Sequence, residues 1–144
     1  MADRESWMPW VVGGLTTMSF TLLHAIATTP PDILTTVMAV LVGTPAALGA
    51  FAVAVWLAPK VAPFGLRGAI AAGAVVVVLA QGAAALLRSV GVHQVEASLV
   101  DGQTVGLGFS VLLLGIGAAG LVPAVAGGAI GLIAGVWREE RTAQ

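Results

Sequence analysis

Residues 10–28, 33–58, 68–87 and about 104–137 form four apolar runs without a single Asp, Glu, Lys or Arg. A helix rises 1.5 Å per residue, so about 20 apolar residues cross a hydrocarbon core of roughly 30 Å. This feature decides the solvent. The chain has 144 residues, 58% of them hydrophobic and 9% charged, where a soluble domain carries about 25% charged residues. So short a chain cannot hide that much apolar surface from water. It reads as one polytopic membrane domain over residues 1–144, all-α, with the lipid bilayer as its first partner. The expected location is the cell membrane.

The spans follow from the local chemistry. The first, residues 10–28, opens between Trp7 and Trp10 and closes at Pro30 and Pro31; tryptophan favours the membrane interface. The stretch "AIA" at 25–27 resembles a leader cleavage site. The preceding "MADRES" has no net positive charge and the run holds threonines and a histidine, so an uncleaved span is expected. The second run, 33–58, follows Asp32, a residue suited to capping a helix N-terminus, and Pro45 inside it predicts a kink. The proline- and glycine-containing stretch 58–67 reads as a short loop. The third span, 68–88, ends on Arg88, whose long stem reaches the headgroups. Its four consecutive valines look like a strand, but a lone strand in lipid leaves its backbone unpaired, so helix is expected. Residues 89–108 are the longest polar stretch. There Asp101-Gly102 between "VEASLV" and "QTVGL" signals a short β-hairpin in the outer loop. The final run is long for one span and short for two. It reads either as one kinked, tilted helix around Pro123 or as two half-spans.

The cations choose between these. With four spans, the last over 108–137, Arg4, Lys60, Arg67, Arg138 and Arg141 share one side, and Arg88 lies opposite with Asp32, His93, Glu96 and Asp101. That is a positive-inside distribution with both termini cytoplasmic. A fifth crossing would spoil it, so a bundle of four transmembrane helices is expected, the extra length taken up by tilt.

Small residues supply the packing signal. Helices in lipid gain little by burying apolar side chains and associate where small residues let backbones approach. In the last span Gly117, Gly120, Ala124, Gly128, Gly131 and Gly135 recur at spacings of three or four, and Gly127, Gly131 and Gly135 form a strict four-residue series. The second span offers Gly43 and Ala47 within Ala39, Gly43, Ala47, Ala50 and Ala54; the third has Ala69, Gly73, Ala80 and Ala84. These faces would pack either within the bundle or against another subunit or copy.

The polar residues in the spans are few. Thr17, Thr21, His24 and Thr28 fall on one face of the first, and Gln81 is the one amide of the third. Such a stripe either lines a solute or proton path or is a set of threonines bonded to their own backbone beside a neutral histidine near the interface. The second is the expected state, with Gln81 making an interhelical hydrogen bond. No carboxylate lies within a span, which argues against an ion-driven carrier. A site built from His24, His93 and Met8, Met18 or Met38 has no ligand spacing, so no metal or cofactor is expected. Glu96 and Asp101 read as solvated loop charges. There is no cysteine to form a disulfide or act as a nucleophile. The net charge of −1 without a basic cluster argues against nucleic acid as a partner. The expected function is non-catalytic: a subunit or accessory component acting through helix packing. The rival is a small oligomeric channel or transporter using the Thr17–Thr28 stripe.

Overall fold

The structure, a computed structural model, describes residues 7–100 and 104–144, with side chains described except at 92, 94–100, 104–107, 109–116 and 118. The described residues are helical throughout apart from short turns: α1 (Met8–Thr28), α2 (Ile33–Val61), a 3-10 turn (Ala62–Phe64), α3 (Gly65–Val100) and α4 (Thr104–Thr142). No strand occurs among them.

Asp32 starts α2 by accepting from the Leu34 N–H at 3.3 Å and from the Thr35 hydroxyl at 2.9 Å. These bonds hold its exposed carboxyl below the usual carboxylate range, the Thr35 hydroxyl contributing most. The loop expected at 58–67 contracts to the 3-10 turn and Gly65, whose φ of 72° reverses the chain. A side chain there would be strained.

The β-hairpin is corrected. Residues 95–100 belong to α3 and helix resumes at Thr104, while Asp101 and Gly102 lie outside the described residues. A two-stranded ribbon is marginal alone, whereas extending a helix that has already nucleated costs little per residue. The count of spans also differs. Three stretches, not four, are long and apolar enough to cross a membrane among the described residues: Met8–Thr28, Ile33–Gly91 and Ala119–Thr142. The second covers 59 residues and contains both α2 and α3, because the turn between them is too short to interrupt the apolar run.

The contacts fix the directions of the helices. Along α2 and α4 they climb together: Gly43 faces Ala119 and Pro123, Gly127 faces Ala47, Gly131 faces Phe51, and Gly135 faces Ala58. These two helices run parallel. Along α3 and α4 they run in opposite senses, with Ala69 beside Val136, Gly73 beside Ala129, and Ala80 and Ala84 beside Val122. Helix α1 is also antiparallel to α4, since Gly13 meets Ala134 and Phe20 packs near Val122. Helix α4 is the hub: all three other helices pack on it, while α2 and α3 scarcely touch. From Ala119 to Glu140 no residue of α4 is exposed.

The interior is made of small residues and the exterior of large ones. Among the described residues, eight of the twelve buried hydrophobic ones are alanine, including Ala69 and Ala84 at 0% exposure. Leu23 is 66% exposed, Val78 70% and Trp56 75%. A water-soluble bundle sorts its side chains the other way. Lipid favours this one, because contact with hydrocarbon tails satisfies the large side chains and close backbone approach holds the helices together.

Candidate functional site: a glycine-lined hub and a buried polar stripe

The tight face of the hub is the four-residue series. A Cβ at Gly127 would run into the Ala47 carbonyl, and one at Gly135 into the Ala58 Cβ. At Gly131 it would stand 2.5 Å from the Phe51 carbonyl oxygen. These glycines bring the α4 backbone onto the α2 backbone within one chain. The rest of the small-residue set is looser. Gly120 and Gly128 would make ordinary contacts with Val42 at 3.8 Å and Ala50 at 3.9 Å, and Ala124 is half-buried. Gly117 is exposed, with nothing within 4 Å of an added Cβ among the described residues.

Gly43 answers from α2, and Ala47 is 1% exposed. A Cβ at Gly43 would stand 3.1 Å from Thr21 on α1, 3.2 Å from the Pro123 ring and 3.4 Å from the Ala119 carbonyl oxygen. Pro123 has no N–H to give the carbonyl four residues earlier. The α4 backbone therefore presents a freed oxygen where α2 carries no side chain, at the point where α1, α2 and α4 meet.

The polar stripe of α1 points into this junction. Thr17 and Thr21 are each 1% exposed and His24 is 8% exposed. The threonine hydroxyls donate to their own helix: Thr17 to the Gly13 carbonyl at 2.8 Å, Thr21 to Thr17 at 2.9 Å and Thr28 to His24 at 2.7 Å. Thr28 itself is exposed. The His24 ring stacks on Phe20 with centroids 6.0 Å apart and planes 5° from parallel, and its buried Nε2 has no hydrogen-bond partner among the described residues. Gln81 is not brought to the stripe; it is exposed on α3, at the margin of the face that buries Ala80 and Ala84.

The far end of the bundle gathers the cations Lys60, Arg138 and Arg141, read from the sequence only as topology signals, with aromatic rings that the sequence did not pair with them. Trp10 meets Phe51 edge-on, and the Arg138 guanidinium lies 5.2 Å from the centre of the Trp10 ring. Lys60 sits 5.8 Å from Trp56, and Arg141 4.9 Å from Trp137. Glu140 accepts from the Leu66 N–H at 2.8 Å, so the end of α4 caps the start of α3. A carboxylate there satisfies a free donor and the positive end of the helix dipole. Its partner is 74 residues away, and no local pattern signals such a pair. Glu96 and Asp101 lie where side chains are not described, and no group of three or more His, Cys, Asp or Glu suited to a metal occurs among the described residues.

No family model, curated protein or solved structure matches the chain.

Proposed function

We propose that the chain is a four-span protein of the cell membrane, both termini cytoplasmic, that serves as a non-catalytic subunit or accessory component of a membrane assembly. The observation that carries this reading is the sorting of side chains. Glycine and alanine are spent inside, on a hub wrapped by three helices, and the outward faces of α1, α2 and α3 are Leu, Val, Ile and Met. A straight helix of 59 residues would be about 90 Å long, three times the hydrocarbon core. The fold-back at Gly65 supports counting α2 and α3 as separate crossings. Because the tightest glycines already hold α2, a partner would meet the outward faces.

The test is purification of the tagged chain in mild detergent. A stoichiometric membrane partner, or a defined homo-oligomer, is the expected result. A lone monomer that restores no assembly would overturn the subunit reading.

One observation favours a second reading, a small oligomeric channel or transporter: the buried His24 Nε2, without a partner among the described residues. The Thr17 and Thr21 hydroxyls, committed to their own backbone, weigh against it. Flux in proteoliposomes that varies with pH and disappears in His24→Ala would establish this second reading instead.

A further inference from the structure

We propose that the tryptophan-bearing end of the bundle is a recognition surface for the phosphate groups of anionic phospholipids in the leaflet it meets; this rests on the membrane reading above. All four tryptophans collect there, Trp7 and Trp10 at the start of α1, Trp56 near the end of α2 and Trp137 near the end of α4. Three of them hold a cation against the ring: Lys60, Arg138 and Arg141, at 5.8, 5.2 and 4.9 Å. A ring face steadies a cation without consuming all its N–H donors; Lys60 and Arg141 are exposed and keep theirs available, while the Nε of Arg138 is buried.

Among the described residues the cations at this end outnumber the carboxylates. Among the described residues Lys60, Arg67, Arg138 and Arg141 make no ion pair. Glu139 and Glu140 are the carboxylates of this end among the described residues, and Glu140 is occupied by the Leu66 N–H; Asp3, Arg4 and Glu5, next to Trp7 in sequence, lie outside the described residues. The unpaired cations sit on α2, α3 and α4 and so surround the end of the bundle.

The chemistry that matches is a phosphodiester at the depth of the tryptophan rings. Arginine takes phosphate oxygens in pairs. Trp56 and Phe64, 75% and 77% exposed, offer apolar surface at the same level to the first part of an acyl chain. Free phosphate lacks that chain, and a zwitterionic lipid brings its own ammonium group to compete with the cations. An anionic phospholipid satisfies both demands.

The experiment uses the full chain reconstituted in phosphatidylcholine vesicles, with tryptophan fluorescence quenched by brominated phosphatidylglycerol or brominated phosphatidylcholine. Because every tryptophan is at this end, quenching reports on it alone. The expected result is about fivefold stronger association of the anionic lipid, one surface cation's worth or more. It should fall toward the phosphatidylcholine value in a Lys60→Gln/Arg141→Gln double variant, which alters two exposed residues and keeps every tryptophan. Equal quenching by the two lipids overturns the inference and leaves the membrane reading standing. Loss of the preference on adding inorganic phosphate, with sulfate at the same ionic strength having no effect, reassigns the site to the soluble anion and overturns the lipid proposal. Quenching by neither lipid removes the membrane reading itself.

Discussion

At Gly131 an added Cβ would stand 2.5 Å from the Phe51 carbonyl oxygen and 2.9 Å from its Cα, while at Gly82 it would meet nothing within 4 Å. Backbone cannot swing aside as a side chain can. Gly131→Ala is therefore expected to destabilise the protein by about 1–3 kcal/mol, the usual range for overpacking. Gly82→Ala should be neutral or slightly stabilising, since alanine loses less entropy in a helix. Thermal unfolding in detergent checks both, and equal midpoints would mean that α4 does not bear on α2 at this point. Asp32 makes a pH-dependent counterpart. Its carboxyl is lowered by the Thr35 and Leu34 donors, so its contribution is present above the ordinary carboxylate range and disappears as pH falls through its lower folded value. The stability gap between wild type and Asp32→Ala should be steady near neutral pH and close in acid; a gap that widens in acid would contradict the cap.

Among the elements, α3 and α4 depart furthest from the sequence reading, and for separable reasons. Apolar runs mark lipid contact, but helices run on past lipid when nothing stops them. So α3 extends to Val100 and α2 to Val61, beyond the runs that announced them. The stop between α2 and α3 was legible in Pro63 and Gly65, and the cap of α2 in Asp32. The cap of α3 was not, because Glu140 comes from the far end of the chain. Glu140→Ala should cost about 1 kcal/mol, the common value for a lost cap, and Glu140→Gln, which keeps an acceptor, clearly less. Amide exchange at Leu66 reports the loss directly. Unchanged protection there in Glu140→Ala would show that the contact caps nothing.

For the whole molecule, small-residue spacing told which faces of α4 could meet another backbone, and contact geometry alone told that α2 is the one met. One sequence carries no record of which helix pairs with which, so Gly127–Ala47 could not have been read from it, nor could Gly117 be separated from Gly131. The polar stripe was legible as a face, and its threonine bonds as local chemistry, while a lone amide such as Gln81 does not say which way its helix turns. The cation distribution makes a prediction at this scale. In the absence of native cysteine, a cysteine at Ser98 should react with an impermeant reagent outside the cell and one at Thr142 should not. The opposite pattern would invert the bundle. The hub has a further consequence, in time rather than space. Ribosomes deliver α4 after α2 and α3, yet those two meet mainly through it. Until α4 is made, α2 and α3 carry alanine-bearing faces with no keystone between them. Closure of α2 against α3 must wait for that segment.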